Sequence, residues 1–598
     1  MRSARSWVVS VIVAVAAAPA LLGAAAPAAG APVLLRDVQA SIDTLAGEPG
    51  ACPPPPTSPP DGCFQDDTEA EPSIAVDPAN HDHAIAVFHV GRATNSGGAA
   101  TDGFATTFDQ GRTWTRGLFP RLTVSSGGTV QRVSDPRVAF GPGGVAIATA
   151  QPFDVDVVPA FSSVVSMTSL DGGLTWADPV VLVGDDISQN YPDSNAYLLN
   201  HGFDQPDLTV DLGTGPGHHY GRVYLAWVRL TLVDLAYAAY SDDLGATWQL
   251  GLGGQGFVVF AGNVPLYPRP LVLANGDLAI MAWNANAVFP SPSYSGDPGP
   301  LVDTNPCQTA LANQTGGYQL YIAAGAGSVS GSTPLVFGPA DNVACVANQT
   351  LRGNRSAEKQ PLFSVDPVSG RMFMAWTDAR FRNDSANDIL LTSSDDGGAT
   401  WAAPRQVNPP GTLGDNLNHW CAMIDAGADG VLRLGYRQRQ EAPIADPDFF
   451  NFSPQVDTFY VESRDGGLTF GTPLMVSTVA SDMRYGAYDG GVTNVGQGGI
   501  FLGDYDALAS VDGITYVVRS EPVSLPGDLA PTFPPTVHHQ RTWVAVIGPA
   551  AASEPVVPPG PGGLPATSTL GWGVVIVGLL LGVAIQVTTR RPAPPQAP

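Results

Sequence analysis

The chain has 598 residues, and its 28 lysines and arginines against 54 aspartates and glutamates give a formal net charge of −26. Charged residues make up only 14%, hydrophobic residues make up 44%, and glycine (68) and proline (55) are abundant. A coiled coil would be rich in Ala, Glu, Lys and Leu, and a disordered chain would lack this apolar content, so both are excluded. So acidic a protein is also not expected to bind nucleic acid. A large, turn-rich, all-β protein remains.

The N-terminal segment has the pattern of a secretory signal. Two arginines precede an apolar run from Trp7 to Leu22, and small residues follow up to Ala31. A charged start, an apolar middle and a small-residue cleavage region are typical of signal peptides. We therefore expect residues 1–31 to be a signal peptide and the protein to be exported. An N-terminal membrane anchor is the alternative.

The C-terminal segment has the pattern of a membrane anchor. Leu570 to Val587 is an uncharged stretch of 18 residues, which is the lower limit for a helix that spans a bilayer, and two arginines follow it. Basic residues after a span favour a cytoplasmic tail. We predict a proline-rich stalk (551–569), a transmembrane helix (570–589) and a cytoplasmic tail (590–598). The body would then lie on the extracellular face of the cell membrane.

Five cysteines are consistent with export. Cys52 and Cys63 could close a short proline-rich loop, and Cys307 and Cys345 bracket one insertion, which leaves Cys421 unpaired. A zinc site is not expected because the sequence has no pair of cysteines separated by two residues.

One eight-residue pattern recurs five times: Ser or Thr, any residue, Asp, any, Gly, any, Thr, then Trp or Phe. The aspartate can cap turn amides, the glycine adopts a backbone conformation closed to other residues, and the aromatic ring can pack beneath the turn. We therefore interpret the aspartates as structural. They are Asp109, Asp171, Asp243, Asp396 and Asp465. The long gap between the third and the fourth indicates a repeat that lacks the pattern, and Leu320 to Phe337 fits this missing member.

Each repeat also has an upstream strand, which typically begins with a variable residue followed by proline. The pairs are Glu71-Pro72, Asp135-Pro136, Gln205-Pro206, Arg269-Pro270 and Gln360-Pro361, with weaker versions starting at Trp420 and Asp504. A second strand follows, and two further strands flank the patterned turn, so each repeat has four strands. Such periodic short strands are typical of a β-propeller. We predict an all-β propeller of four-stranded antiparallel blades over residues 65–550, with seven blades and six as the alternative. Within residues 32–64, Leu34 to Ile42 could supply the strand that closes the last blade.

Antiparallel connectivity places the patterned turns at one end of the propeller and an arginine-rich set at the other. Arginine suits the two-pronged recognition of a carboxylate, so these arginines are candidates for binding an anionic ligand. The alternative is that each pairs with a neighbouring acid such as Asp135, Asp378 or Asp384. The candidate binding residues are Arg92, Arg137, Arg269, Arg380, Arg437 and Arg519, and Arg229, Arg382 and Arg439 lie at comparable places.

The eight-residue pattern resembles the Asp-box of sialidases and other β-propellers. Sialidases bind the substrate carboxylate with three arginines and use a tyrosine nucleophile, a glutamate partner and an aspartic acid. Gly503 to Leu508 resembles their nucleophile-bearing stretch, with Asp506 where the family has serine, so the resemblance implies Tyr505 as the nucleophile. The segment around Asp378 resembles the loop that carries the acid, and Asp102 holds a comparable place in the first repeat. An acid, Glu71, stands where the first family arginine is expected, and neither a complete triad nor the glutamate partner can be assigned.

The resemblance implies a sialidase-like exo-glycosidase that acts on or binds anionic glycans, with a glycan or glycoprotein as ligand. The alternative is a non-catalytic Asp-box propeller that binds glycans or proteins at the cell surface, and a third is a scaffold without a small-molecule site. The C-terminal helix would provide the membrane contact. No cofactor is expected. The histidine pairs (81 and 83, 218 and 219, 538 and 539) could bind a metal, but without matching carboxylate spacing we expect them in solvated loops and expect no metal.

Overall fold

A computed structural model of the protein describes the following residues: 30–41, 63–94, 97–154, 161–186, 202–230, 235–261, 265–284, 317–330, 333–346, 351, 354, 360–382, 384, 386–410, 415–441, 452–479, 481–489, 499–526, 528, 530 and 538–550. The chain divides into two units, residues 1–550 and 551–598, and every described residue belongs to the first. Most of the predicted signal peptide lies outside the described residues, as do the whole stalk, transmembrane helix and tail. Within the described residues, no helix is long and apolar enough to cross a membrane.

Most of the described strands group into seven four-stranded antiparallel repeats, and two strands precede the first strand of repeat 1 in the chain. The latter are β1 (Pro32–Gln39) and β2 (Phe64–Gln65). The first three repeats consist of β3 (Ser73–Asp77), β4 (Asn80–Ala93), β5 (Ala99–Thr107) and β6 (Thr115–Leu118); β7 (Arg132–Phe140), β8 (Ala146–Phe153), β9 (Phe161–Ser169) and β10 (Val180–Asp186); and β11 (Phe203–Val210), β12 (Val223–Arg229), β13 (Leu235–Ser241) and β14 (Phe257–Ala261).

The remaining repeats follow the same plan. Repeats 4 to 6 consist of β15 (Pro265–Val272), β16 (Leu278–Asn284), β17 (Gly317–Ala323) and β18 (Asp341–Cys345); β19 (Leu362–Val365), β20 (Met372–Asp378), β21 (Asp388–Ser394) and β22 (Arg405–Gln406); and β23 (Leu417–Ala426), β24 (Leu432–Gln440), β25 (Gln455–Ser463) and β26 (Leu474–Met475). Three short strands come next, β27 (Ser481–Asp482), β28 (Ala487–Asp489) and β29 (Gly499–Phe501), and repeat 7 adds β30 (Ala507–Val511), β31 (Ile514–Pro522) and β32 (Gln540–Pro549). The short 3-10 helices are Val124–Ser126, Pro142–Gly144, Ala326–Ser328 and Met483–Tyr485.

Strand β1 completes the seventh repeat. It pairs antiparallel with β32, so that Pro32 lies opposite Pro549 and Gln39 opposite Trp543. The N-terminal segment thus adds a fourth strand to this sheet, and the strand begins two residues earlier and ends three residues earlier than expected. Repeats 4 and 7 lack the eight-residue pattern, and repeat 4 is the one that the spacing of the aspartates predicts.

The first strands of the seven repeats contact one another in a closed series. The contacts run from β3 to β7, β11, β15, β19, β23 and β30, and β30 contacts β3 again. These strands therefore enclose a common centre. Buried apolar side chains fill the space between successive repeats, as where Ile85 of repeat 1 packs with Val138 and Ala148 of repeat 2.

The five patterned turns have the same hydrogen bonds. The first hydroxyl donates to the aspartate (2.7–2.9 Å) and accepts from the glycine N–H (2.7–2.9 Å), while the threonine donates to the aspartate through its N–H (2.7–2.9 Å) and hydroxyl (2.5–2.7 Å). The hydroxyl and N–H of Thr400 lower the pKa of Asp396 to about 2. These carboxylates are thus used within their own turns.

Each turn also packs on the preceding repeat. A Cβ on Gly173 would lie 2.5 Å from Ile85 Cδ1, and one on Gly398 would lie 2.3 Å from Leu320 Cδ2. The turn of repeat 1 closes the series, because a Cβ on Gly111 would lie 3.3 Å from Val546 in repeat 7. The small glycine is therefore needed for packing between repeats as well as for its positive φ.

Candidate functional site

A β-bulge interrupts the first strand of repeats 2, 3, 4 and 6, towards the N-terminal end of the strand. At each bulge one residue other than glycine adopts a left-handed backbone conformation, with φ between 53° and 57°: Asp135, Gln205, Tyr267 and Cys421. Glu71, just before β3 of repeat 1, has the same conformation with φ 51°. Left-handed residues of this kind are costly and concentrate at functional sites. Bulges also re-aim side chains next to such sites.

The bulges correct the predicted position of the strand-start pattern in one repeat. In repeat 4 the strand start is Tyr267-Pro268 and not Arg269-Pro270, because the shift in pairing lies between Leu266 and Arg269. Two prolines alternate here, so the pattern of a residue followed by proline fits at either place. The corrected register puts Arg269 at the position of Arg137 in repeat 2 and Asp207 in repeat 3, each two residues after its bulge.

These three side chains meet next to Tyr505. Asp207 Oδ2 lies 3.9 Å from Arg137 Nε and 3.3 Å from Arg269 Nε. The guanidinium carbon of Arg137 lies 3.4 Å from the centre of the Tyr505 ring, a cation–π contact. The structure therefore brings together two of the six candidate arginines and the candidate nucleophile.

Acidic side chains also lie near Tyr505, and, besides burial, the charges of Glu71, Asp135 and Asp102 raise its pKa. Glu71 Oε2 lies 3.1 Å from His89 Nε2, which also accepts a hydrogen bond from the Asp135 backbone N–H (3.2 Å). Asp102 Oδ1 lies 4.0 Å from the same nitrogen. We call Glu71, His89, Asp102, Asp135, Arg137, Asp207, Arg269 and Tyr505 the central cluster.

Burial dominates the electrostatics of the central cluster. The pKa of Asp102 is raised well above its ordinary value by burial and by the charge of Glu71. Burial, together with Glu71, likewise raises the pKa of Asp135. The phenol of Tyr505 is 2% exposed, and burial raises its pKa although Arg137 opposes the change. The cluster thus combines two carboxyl groups and a phenol whose pKa values are raised with two guanidinium groups.

The other candidate acid, Asp378, lies in a separate buried pair. Arg380 contacts both of its carboxylate oxygens at 2.9 Å and donates to the Cys345 carbonyl oxygen (2.7 Å). The Trp376 indole N–H donates to Asp378 Oδ2 (2.9 Å). These contacts hold repeats 4 and 5 together, and none of them involves the central cluster.

Two further candidate arginines join distant parts of the chain. Arg437 contacts Asp506 at 2.5 and 2.9 Å, so the residue that replaces the family serine is its ion-pair partner. Arg519 contacts Asp37 of strand β1 at 2.8 and 2.9 Å and also pairs with Glu521. Pairing with acids, the alternative to ligand binding, therefore describes Arg380, Arg437 and Arg519.

The last candidate arginine, Arg92, is 1% exposed. Its guanidinium donates to the Gly98 carbonyl oxygen (3.2 Å) and lies over the Phe501 ring, 3.9 Å from its centre. It therefore connects repeat 1 with strand β29.

Sequence reasoning missed His89, Asp207 and the roles of Glu71 and Asp135 in the central cluster. Glu71 and Asp135 stood in the strand-start pattern, and alignment of the repeats on that pattern would also have placed Asp207 beside Arg137. His89 has no such signal, because it faces Asp102 only through the pairing of β4 with β5.

The histidine and cysteine predictions have mixed outcomes. The prediction of solvated loops is wrong for His83, which is 4% exposed and hydrogen-bonded to Asp77 (3.1 Å). Cys63 and Cys345 each take part in a disulfide bond, and among the described cysteines Cys421 is free. The predicted partners Cys52 and Cys307 lie outside the described residues. Within the described part of the chain, no group of three or more histidine, cysteine or acidic side chains could hold a metal ion.

No family model and no curated protein matches the chain. Among solved structures, it is similar to the Hadza microbial sialidase Hz136 (14% identity, TM-score 0.36, covering 70% of this chain and 66% of that one). It is also similar to an α-L-arabinanase from Penicillium chrysogenum (12%, 0.36, 70% and 93%) and to the NanB sialidase from Streptococcus pneumoniae (8%, 0.39, 81% and 94%). Identities and TM-scores this low carry no conclusion about the function of this chain.

Proposed function

We propose that residues 65–550 form a seven-bladed β-propeller that binds a glycan with an anionic group at the central cluster. The closed series of first strands supports the blade number. The observation that carries the binding site is the meeting of Arg137 and Arg269 beside Asp207 and Tyr505, at the end of the strands where the bulges lie.

The two arginines retain donors for a ligand. Charge-assisted N–H···O bonds measure about 2.7–2.9 Å, and both distances from Asp207 to the guanidinium groups are longer. Arg137 Nε has no hydrogen-bond partner among the described residues. The Arg269 side chain is 23% exposed, so it can reach a ligand from the solvent side. Arginines arranged in this way suit a carboxylate on a sugar.

Hydrolysis of the glycan is the second candidate function. Its support is the buried Asp102 near Tyr505, because burial raises the pKa of this carboxyl and a buried acid that keeps its proton can protonate a leaving group. The contacts of Tyr505 favour binding instead. Its hydroxyl lies 3.4 Å from the Pro136 carbonyl oxygen, and in the described residues no carboxylate accepts its proton. A nucleophilic phenol needs such a base.

The test of binding uses the purified full-length protein with sialyllactose and, as the neutral comparison, lactose. We expect calorimetry to detect sialyllactose only. Arg269→Ala should weaken this binding about tenfold or more, since a hydrogen bond to a charged group contributes about 1.5–3 kcal/mol. Arg229→Ala is the matched control, because Arg229 is equally exposed but pairs with Asp185. Failure to bind any sialylated or uronic oligosaccharide would refute the proposal.

The same samples decide between binding and hydrolysis. Turnover of a fluorogenic sialoside that disappears in Tyr505→Phe would support the hydrolase. Binding without turnover in the wild-type protein would support the non-catalytic module, in which Asp102, Asp378 and Tyr505 have no catalytic role.

We also infer that the protein is exported and anchored at the cell surface by residues 570–589. The support is the sequence of the two terminal segments, with charged, apolar and small residues in the order that export and anchoring require. Protease added to intact cells should remove the body and leave a short membrane-bound fragment. A fully protected body would contradict the anchoring.

A further inference from the structure

Three acidic residues lie close to one buried histidine in the central cluster. His89 and Asp102 have no exposed surface, and the Glu71 side chain is 3% exposed. Asp135 belongs to the same group, because its backbone N–H donates to His89 Nε2. We call Glu71, His89, Asp102 and Asp135 the acid set.

Glu71 and His89 form a close contact that needs a proton on one of the two facing atoms. The Asp135 N–H donates to His89 Nε2, so this nitrogen presents a lone pair. Glu71 Oε2 lies 3.1 Å from the same nitrogen, and two lone pairs at this distance repel each other. A proton on the glutamate, or on the nitrogen in place of the bond from Asp135, removes the conflict.

A second proton belongs to Asp102. Neither of its carboxylate oxygens has a hydrogen-bond partner within the described part of the chain, and the residue is fully buried. An ionised carboxylate in such a place is strongly destabilised, so the group takes up a proton instead. The raised pKa of Asp102, which burial and Glu71 cause, agrees with this geometry.

These protons control the charge that a ligand meets. If Glu71, Asp102, Asp135 and Asp207 were all ionised, they would outnumber the charges of the two arginines, and an anion would be repelled. Protons on two of these acids balance the site, and one more makes it positive. Asp204 and Asp504 also face Asp135 and add to the repulsion of an incoming anion.

We propose that the binding of an anionic glycan at Arg137 and Arg269 is coupled to proton uptake by the acid set, with His89 as the residue that positions the shared proton. This rests on the proposed function, because it assumes that the two arginines bind an anion. The ligand then binds more tightly at low pH, because the protonated acids, most of them from the first repeat, no longer repel it.

The first test needs no ligand. Infrared spectra of the full-length protein at pH 7 should contain the carbonyl band of a protonated carboxylic acid, and Asp102→Asn should remove part of it. Asp243→Asn is the control and should leave the band unchanged, because the Thr247 contacts that outweigh its slight burial lower the pKa of Asp243. Absence of the band, or its persistence in Asp102→Asn, would overturn the proposal.

The second test measures the coupling. We expect the enthalpy of sialyllactose binding to depend on the ionisation enthalpy of the buffer, and the affinity to fall as the pH rises, by up to about tenfold per pH unit for each proton taken up. In His89→Gln the pH dependence, measured as the ratio of the affinities at two pH values, should flatten. Binding of sialyllactose by the wild-type protein without pH dependence would refute the coupling. Absence of binding at every pH would refute the proposed function instead, and the infrared band would then still decide whether the acid set holds its protons.

Discussion

Two adjacent glycines in the turn of repeat 5 offer a direct test of how the repeats pack. Gly397 and Gly398 both have a left-handed backbone, with φ of 71° and 95°. A Cβ on Gly397 would meet nothing within 4 Å, whereas one on Gly398 would lie 2.3 Å from Leu320 Cδ2. Leu320 belongs to repeat 4 and is fully buried, so it has little room to move. The pair therefore separates backbone strain from packing between repeats.

The expected costs differ for this reason. Alanine in a left-handed conformation costs about 1–2 kcal/mol, and both variants carry this cost. Overpacking of a filled core adds about 1–3 kcal/mol, and only Gly398→Ala carries that addition. We therefore expect Gly398→Ala to lower the free energy of unfolding by about 2–5 kcal/mol and Gly397→Ala by about 1–2 kcal/mol.

Thermal unfolding of the two variants and the wild-type protein measures the difference. For a cooperative unit of roughly 500 residues, about 1 kcal/mol corresponds to about 1 °C in Tm, so we expect Gly398→Ala to melt about 2–5 °C below the wild type. Hydrogen exchange should show the loss of protection in repeats 4 and 5. Equal shifts in both variants would refute the conclusion that the turn packs against Leu320.

Three further predictions concern charges and the closing strand. Asp396 has a pKa lowered to about 2 in the folded protein against 3.8 ordinarily, so its contribution to stability is present above pH 4 and is lost as the pH falls towards 2; Asp396→Asn should reduce this part of the acid dependence of Tm. Arg437→Ala leaves Asp506 buried without its partner and should lower the free energy of unfolding by about 3–5 kcal/mol, whereas the partly exposed Arg229→Ala should cost at most about 1 kcal/mol in the same denaturant titration. Deletion of residues 30–41 exposes the edge of β32, and we expect size-exclusion chromatography to show aggregation that the intact chain does not show.

The four-stranded plan of the repeats could be predicted from the sequence because its signals are local. All the hydrogen bonds that define a patterned turn lie within eight consecutive residues, so the pattern itself specifies the turn. The closing strand was also predictable, since repeat 7 lacked one strand and the N-terminal segment offered a β-like stretch. The register of repeat 4 was not predictable, because Pro268 and Pro270 satisfy the strand-start pattern equally well.

The candidate site depended on contacts between residues that are far apart in the chain. Arg437 and Asp506 are 69 residues apart, and Arg519 and Asp37 are 482 apart. Periodicity can place an arginine at the end of a strand, but only the packing of the repeats decides whether it meets an acid or faces the centre.

By itself, the sequence determined that this protein is an all-β chain of repeated four-stranded units and that Tyr505 and Asp102 are candidate site residues. The tertiary structure selected Arg137 and Arg269 from the candidate arginines and surrounded them with the acid set. The reason is physical: hydrogen bonds and hydrophobic periodicity act along short stretches of chain, whereas the charge and burial of a side chain depend on every repeat packed around it.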